Sequence, residues 1–317
     1  MKRNQILFIL FFISACVFSQ TPVEKGLSMI NRQSAETYIG ILASDSLEGR
    51  QAGRAGAIKA AEYIREYLKA TGLKPWKKDY YQIFDADGHK RYQMRNILGY
   101  IVGKNTDEIV IIGAHYDHLG VRANNTNDSI FNGADDNASG VSAVLQVAKA
   151  FMASGQQPER TVIFALWDAE EIGLIGSFHF VEDHFKNVVI PRMFPQTIKG
   201  YINCDMIGRN RDEASFNHVI TYVTEGNTIL KNWITSGIEQ YNIGLIPEFR
   251  SEKDMPGGSD HMPFAMKGIP YIFYFTDLHA DYHQPTDHAD KINYNKVTAV
   301  TKSAFVSLWN MANEKGY

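Results

Sequence analysis

The apolar stretch EIVIIGA, residues 108–114, leads directly into His115. Two further stretches repeat this pattern: RTVIFALW, residues 160–167, runs into a group of acids, and KGYINC, residues 199–204, runs into Asp205. Short runs rich in Val, Ile and aromatic residues, with polar residues directly behind them, are typical of strands buried on both faces of a parallel sheet. These three stretches therefore predict the centre of an α/β fold.

Segments with helical periodicity separate these strands. Residues 56–71 place apolar side chains at helical spacing and are followed by Gly72, a residue that commonly ends helices. The predicted helices cover residues 33–44, 56–71, 138–153, 227–241 and 294–313. Further strands are predicted at residues 79–85 and 95–102, as an antiparallel pair, and at residues 270–275.

Apolar strands that alternate with amphipathic helices need helices on both faces of their sheet. We therefore expect a single-domain α/β/α sandwich of three layers, with a mostly parallel but mixed central sheet. Ligands of such folds bind beyond the carboxyl ends of the strands. Four candidate residues directly follow predicted strands: His115, Glu170, Glu171 and Asp205. This edge of the sheet is the expected functional site.

The composition is that of an ordinary folded protein. The chain has 317 residues, of which 44% are hydrophobic and 21% charged, and its formal net charge is −3. These values exclude a disordered or collagen-like chain. They also argue against nucleic acid as a partner, because nucleic-acid-binding proteins present a basic surface. The sequence does not indicate an oligomeric state.

Residues 1–19 have the features of a secretory signal peptide. Lys2 and Arg3 precede an apolar run at residues 6–13, and small residues follow it. The apolar run is too short for a transmembrane span. We therefore expect an exported protein, periplasmic or extracellular, whose folded domain comprises residues 20–317.

Two cleavage positions fit this signal. Cleavage before Gln20 suits signal peptidase, whereas the segment ISAC ending at Cys16 resembles a lipobox and would make Cys16 a lipid anchor of a membrane-bound lipoprotein. The first is slightly favoured and would leave 30 basic and 35 acidic residues, a net charge of −5. Cys204 would then be a single thiol, so no internal disulfide is expected.

Two acidic groups contain more carboxylates than local structure requires. Asp135 and Asp136 lie within GADDNASG at a predicted helix start, where capping needs only one acid. The small residues around them favour a crowded site, such as a metal pair that Asp136 could bridge. In DAEE, residues 168–171, neighbouring side chains diverge, so Glu171 could bind a metal while Glu170 faces a substrate. A solvated acidic loop is the alternative.

Histidines and further acids follow other strands. Asp117 follows His115 at a spacing that lets a carboxylate orient a metal-binding imidazole, although the two could simply bond to each other. Asp205 leaves an apolar strand and needs a partner for its charge, either a metal or a cation such as Arg209. The segment YHQPTD supplies His283 as a second histidine.

Together these residues predict two zinc ions per chain. The donor set is His115, Asp136, Glu171, Asp205 and His283, with Glu170 left over and with His279 and His288 not needed as ligands. Nitrogen and oxygen donors without cysteine suit zinc, with cobalt or manganese as substitutes. Five donors are too many for one tetrahedral ion, but one shared carboxylate would give two sites of three donors each, both open to water.

The order and spacing of these motifs resemble the M28 family of zinc peptidases, which includes bacterial leucyl-type aminopeptidases, glutaminyl cyclases and glutamate carboxypeptidases. The similar segments are AHYDH, GADDNASG, AEEIGLIGS, NCDMIG, SDHMPF and YHQPTD, and the match extends from about Glu36 to Lys291. The family's protease-associated insert is missing, because too few residues separate Thr71 from Arg95. No second domain is therefore implied.

The resemblance implies a metal-binding role for each of five positions. His115 and Asp205 would hold one zinc, and Glu171 and His283 would hold the other. Asp136 would bridge the two ions.

Other positions are assigned by the same resemblance. Glu170 would be the general acid/base, and Asp117 would orient His115. Asp260 would be an acid that lies next to the metal ligands without binding a metal itself. Asp135 would not be a ligand.

An apolar pocket for a large substrate side chain is expected beside the metals. Met206, Tyr274 and Tyr282 could line it. Phe275 could also line it, but Phe275 and Trp167 lie in buried strands, so a core position is the favoured expectation for both.

These roles imply an aminopeptidase that acts on peptides with a free N-terminus. A hydroxide bridging the zinc pair would attack the carbonyl, and Glu170 would accept and return the proton. The alternatives are a glutaminyl cyclase with one zinc, which shares the D-H-x-P-F run of Asp260–Phe264, a carboxypeptidase or dipeptidase on the same metal pair, and a binding module without activity. The intact GADDNASG segment and His115 favour the two-zinc hydrolase.

Overall fold

A computed structural model describes residues 20–85, 93–122, 128–186 and 196–317. The predicted signal peptide, residues 1–19, lies outside the described residues. Within the described ranges, we find no helix whose length and apolar character would let it cross a membrane.

The bounds of the elements follow in chain order. The helices are α1 (Pro22–Ser28), α2 (Arg32–Leu42), α3 (Ala55–Ala70), α4 (Gly140–Ser154), α5 (Ile175–Lys186), α6 (Thr228–Gln240), α7 (Met262–Ala265) and α8 (Tyr294–Asn313). The strands are β1 (Lys74–Pro75), β2 (Tyr81–Asp85), β3 (Gln93–Ile101), β4 (Asn105–His115), β5 (Gly120–Val121), β6 (Ile130–Phe131), β7 (Arg160–Trp167), β8 (Thr197–Cys204), β9 (His218–Val223), β10 (Ile246–Arg250) and β11 (Tyr271–Phe275).

The main sheet is mixed, with a parallel centre. Its strand order is β1-β3-β7-β4-β8-β11-β9-β10, and β2 also pairs with β3. Strands β7, β4, β8 and β11 run parallel to one another, whereas β3 and β9 join them antiparallel. In this register His115 lies opposite Trp167, and Gly113 lies opposite Asn203. The carboxyl ends of the central strands therefore lie together at one edge.

Side chains of the central strands alternate between two helical layers. On β4, Val110 and Ile112 pack in a core formed with α2, α3, α4, α6 and α8, whereas Ile109 and Ile111 pack on the opposite face with α5 and α7. All four side chains are buried. A strand covered on both faces has to be apolar throughout, which explains the run at residues 108–114. The expected single-domain α/β/α sandwich is confirmed.

Some elements differ from the predicted ones near the site. Strand β4 includes His115, so this residue ends the strand rather than following it. The helix predicted at 138–153 begins at Gly140, because Ala134–Ser139 form an irregular turn in which Asp136 has φ −104° and ψ 93°. Strands β9 and β10 and helix α5 were not predicted.

Candidate functional site

The carboxyl edge of the central strands collects the predicted site residues from five parts of the chain. They are His115 at the end of β4, Asp136 in the turn before α4, Glu170 and Glu171 in the turn after β7, Asp205 directly after β8, and His283 between β11 and α8. All except His283 lie largely out of solvent, and its side chain is 35% exposed.

Two sets of three donors meet at Asp136. In the first donor set (His115, Asp136 and Asp205), Nε2 of His115 lies 3.4 Å from Oδ1 of Asp136 and 3.3 Å from Oδ1 of Asp205. In the second donor set (Asp136, Glu171 and His283), Nε2 of His283 lies 3.2 Å from Oδ2 of Asp136 and 3.2 Å from Oε2 of Glu171. The two oxygens of Asp136 therefore face different donor sets.

These separations fit zinc as the occupant of both donor sets. Two ligands on a tetrahedral zinc, with bonds of about 2.0–2.1 Å, lie about 3.3–3.4 Å apart. The four donor separations span 3.2–3.4 Å. The charge also fits, because carboxylates that are buried close together need a cation between them. Nearby carboxylates raise the pKa of His115 well above its ordinary value, although burial alone lowers it.

Glu170 lies beside the first donor set. One of its carboxylate oxygens lies within 4.8 Å of donor atoms of both His115 and Asp205. Burial raises the pKa of Glu170 well above its ordinary value, His115 opposes this shift, and the carboxylates of Asp260 and Asp205 add to it. The side chain is thus close enough to the donors to exchange a proton with a water or a substrate held there.

The carboxylate of Asp117 does not contact His115 in the way that the sequence led us to expect. Its carboxylate lies 3.8 Å from Nδ1 of His115, and Nδ1 instead donates to the backbone carbonyl of Asp117 at 3.2 Å. The carboxylate accepts from the backbone N–H groups of Glu170 at 3.1 Å and of Glu171 at 3.4 Å. Asp117 therefore orients His115 through its main chain and fixes the Glu170–Glu171 segment through its side chain.

Asp135 points away from both donor sets. Its Oδ1 accepts from the backbone N–H of Gly208 at 2.6 Å, and its Oδ2 lies 3.2 Å from Nε2 of His279. The turn that contains it is held by Asp287, whose Oδ2 accepts from the backbone N–H groups of Asp135 at 2.9 Å and Asp136 at 3.0 Å. Asp287 thereby ties the loop of His283 to the turn of Asp136.

The partner of Asp205 is not Arg209. Arg209 lies 2.7 Å from Asp281, whereas Asp205 faces His115 and accepts from Oγ of Ser259 at 2.7 Å. Asp260 is buried behind this contact, and burial raises its pKa to about 7.

An apolar cavity of about 120 Å³ opens beside the first donor set. Met206 and Tyr282 line it as expected. Tyr274 does not: it packs in the core, with its hydroxyl 3.0 Å from Oγ of Ser303. Because side chains alternate along β11, Phe273 and Phe275 face the cavity instead. Phe275 packs in the core as expected, and one side of its ring also lines the cavity.

Two residues near the site were not singled out from the sequence. His118, directly after Asp117, places Nδ1 at 2.6 Å from Oε1 of Glu171. Its position in the segment AHYDH, three residues after His115, could have identified it as a site residue. No such indication existed in the sequence for Arg50, because this residue lies more than sixty positions before His115. It belongs to a loop in which Glu48 and Arg50 have positive φ.

Arg50 links several chain segments near the site through hydrogen bonds from its buried guanidinium. It is 1% exposed, and its guanidinium donates to four backbone carbonyls, those of Tyr116, Leu42, Asn132 and Gly133. Burial lowers the pKa of Arg50 to about 10, while nearby carboxylates oppose this shift, so the group is charged at neutral pH. It joins β4, the segment after β6 and the end of α2.

We expect Arg50→Met to lower the free energy of unfolding by at least about 3 kcal/mol, because several buried carbonyls lose their donor at a cost of about 1–3 kcal/mol each. Urea denaturation in the presence of a chelator measures this change without a contribution from bound metal. Arg32→Met is the matched control, since its ion pair with Glu36 is exposed and should be worth less than about 1 kcal/mol. Equal losses in the two variants would contradict the role given to Arg50.

The fold and the two donor sets define an α/β/α protein with a candidate two-metal centre at the carboxyl edge of its sheet. The chain belongs to peptidase family M28, whose sequence profile matches residues 96–307. The resemblance seen in the sequence motifs is thus confirmed.

Known proteins similar to this chain include an aminopeptidase and a glutaminyl cyclase. Leupeptin-inactivating enzyme 1 of Streptomyces exfoliatus is 29% identical over 278 residues, which cover 88% of this chain and 55% of that enzyme. The LapA aminopeptidase of Legionella pneumophila has a TM-score of 0.74 at 20% identity, covering 99% of this chain and 80% of that one. The glutaminyl cyclase of Fimbriiglobus ruber has a TM-score of 0.71 at 17% identity, covering 88% and 95%.

These similarities have different scope. The chain spans about half or less of the length of the curated relatives it matches. The two solved structures share the fold with this chain, and the fold is common to an aminopeptidase and a cyclase. The reaction therefore has to be argued from the site itself.

Proposed function

We propose that this protein is a co-catalytic di-zinc aminopeptidase that removes N-terminal residues from peptides. The observation that supports it best is the position of Asp136, whose two oxygens lie 3.4 Å from His115 and 3.2 Å from His283. A carboxylate placed between two otherwise separate donor pairs is suited to bridge two ions. Membership of family M28 supports a peptidase reaction.

The two donor sets would hold one zinc each and share Asp136. Bound zinc would supply Lewis acidity for the substrate carbonyl and would lower the pKa of water, the chemistry that hydrolysis of an amide requires. The chain fixes this arrangement through outer contacts: Asp287 holds the backbone of Asp136, and Asp117 holds the backbone of Glu171.

Glu170 is the proposed general acid/base. It would take a proton from the attacking water and pass that proton to the nitrogen of the departing amine. The remaining water proton would then leave the new carboxylic acid for the same amine, so that the peptide bond is replaced by a carboxylate and an ammonium group. Its carboxylate lies next to the first donor set and is not needed to complete either set of three donors. Proton transfer of this kind typically contributes about 10²–10⁴-fold to the rate.

The cavity beside the donors suits a large apolar side chain at the substrate N-terminus. Its apolar lining residues are Met206, Met255, Pro256, Phe273, Phe275, Leu278 and Tyr282. The charged residues among the described lining all belong to the candidate site: His115, Asp136, Glu170, Asp205 and His283. Their carboxylates would also favour the positive charge of a free α-amino group.

We also propose that residues 1–19 are a signal peptide and that residues 20–317 form the catalytic domain of an exported enzyme. The basic start and the short apolar run of this segment support the proposal.

The experiment that tests the reaction incubates the purified protein and zinc with a mixed peptide pool and follows each mass. We expect stepwise loss of single N-terminal residues. Peptides that begin with Leu, Met or Phe should be cleaved at least about 10-fold faster than those that begin with Asp or Glu, because the carboxylates in the lining repel an acidic side chain and the apolar wall favours an apolar one. Glu170→Gln is the control for a contaminating peptidase.

Other outcomes would assign a different reaction. Loss of ammonia only from peptides that begin with Gln would make the protein a glutaminyl cyclase. Loss of residues from the C-terminus would make it a carboxypeptidase. Unchanged masses, together with no uptake of zinc, would favour a binding module.

A further inference from the structure

His118 lies against the second donor set without being needed to complete it. Its side chain is buried, and Nδ1 lies 2.6 Å from Oε1 of Glu171 and 3.7 Å from Oδ2 of Asp136. The separation from Glu171 is well below the distance of about 3.3 Å that two ligands of one tetrahedral zinc would have. It instead fits a short hydrogen bond to a charged carboxylate, in which Nδ1–H donates because a carboxylate only accepts.

Asp205 and Glu171, the carboxylates that belong to only one donor set each, use their two oxygens in the same way. Asp205 turns Oδ1 toward His115 at 3.3 Å, and its second oxygen accepts from Ser259 at 2.7 Å. Glu171 turns Oε2 toward His283 at 3.2 Å, and its second oxygen faces His118. Each carboxylate thus has one oxygen beside a histidine of its donor set. Its other oxygen accepts a hydrogen bond from a residue that belongs to neither donor set.

The backbone of His118 and the space around its ring also fix the position of this residue. Its backbone N–H donates to the carbonyl of Arg50 at 3.1 Å. A Cβ on Gly133 would lie 2.6 Å from Cδ2 of His118, so the ring fits only because position 133 is glycine. Among the described residues, Nε2 of His118 is buried and has no hydrogen-bond partner. The contact with Glu171 is therefore the polar contact that the side chain is placed to make.

We propose that His118 is a positioning residue that fixes Glu171 as a ligand through a single oxygen and thereby sets the affinity of the second donor set for zinc. This inference rests on the proposed function, because it requires zinc at that set. A fixed donor saves the side-chain entropy that a mobile Glu would lose on binding, and removing such outer contacts typically weakens metal binding by about 10–100-fold.

The test measures zinc affinity by competition with a chelator, without reference to activity. We expect His118→Phe, which keeps a ring but removes the donor, to weaken one of two zinc equivalents by about 10–100-fold and to leave the other within a few-fold. His118→Asn places an amide nitrogen near the position of Nδ1 and should restore most of the affinity. If the Phe variant does not fold, as judged by circular dichroism, His118→Ala removes the donor without added volume.

His184→Phe is the matched control. It removes a partly buried histidine that donates to the backbone carbonyl of Gln196, away from the site. Both zinc affinities should be unchanged in this variant.

The outcomes separate this inference from the proposed function. Wild-type protein that takes up fewer than two zinc ions would overturn both. Wild-type protein that binds two zinc ions, with a folded His118→Phe or His118→Ala variant of equal affinity, would overturn only the role of His118. Equal weakening by His118→Phe and His118→Asn would also overturn it, because ring packing rather than the donor would then set the affinity.

Discussion

Glu170→Gln should lower kcat by at least about 100-fold while both zinc ions stay bound, since loss of a general acid/base typically costs about 10²–10⁴-fold. Gln has the size of Glu but cannot accept and return a proton. Its neighbours in the first donor set, His115 and Asp205, keep their own contacts with Asp136 and Ser259. Initial rates on a Leu-peptide, with zinc content measured on the same samples, check this result.

The adjacent residue provides the control. Glu171→Gln changes the same atoms one position further along, but at a donor that contacts both His118 and His283. We expect it to lose zinc from the second donor set and activity with it. Glu170→Gln protein that turns over normally would exclude Glu170 from the proton transfer, and loss of zinc from it would instead make Glu170 a ligand.

Removal of metal should abolish activity, and about two zinc ions per chain should be needed to restore it. Each donor set offers three protein atoms, and Asp136 belongs to both. Adding zinc stepwise to chelator-treated protein, while measuring the rate on a Leu-peptide, gives the number of ions at the plateau. A plateau at one equivalent would contradict the two-zinc proposal and favour the cyclase.

Two variants locate the ions. Asp136→Ala removes the shared carboxylate and should reduce the bound zinc to well below one ion per chain. Asp205→Ala removes a donor of the first set alone and should leave about one ion bound. If Asp136→Ala protein still binds two ions, the carboxylate does not bridge them.

Elements whose period is set by burial could be predicted from the sequence. Strand β7 and helix α8 have the predicted bounds, 160–167 and 294–313, because both of their ends coincide with changes in polarity. The site residues also come together at the predicted edge, since the order of polar residues behind parallel strands fixes their location. Strand β9, HVITYV, was missed because a short apolar run next to a loop gives no period long enough to read.

Contacts that depend on tertiary packing could not be predicted. Tyr274 was placed in the cavity because the sequence gives the alternation along β11 but not which face meets the site. His118 reaches Glu171 only because Gly133 leaves room for its ring. The contact of Asp117 with the Glu170–Glu171 backbone depends on the turn after β7, where Ala169 has a φ of 61°.

The donors of the candidate centre come from five segments between His115 and His283, so no fragment of the sheet brings them all together. Under the proposed function, the native state alone would bind both zinc ions, and metal binding would be linked thermodynamically to global folding. Free zinc at 100 times the dissociation constant would add about 2.7 kcal/mol per site to the stability. The supply of zinc would then govern how long the enzyme survives proteolysis, as well as whether it is active.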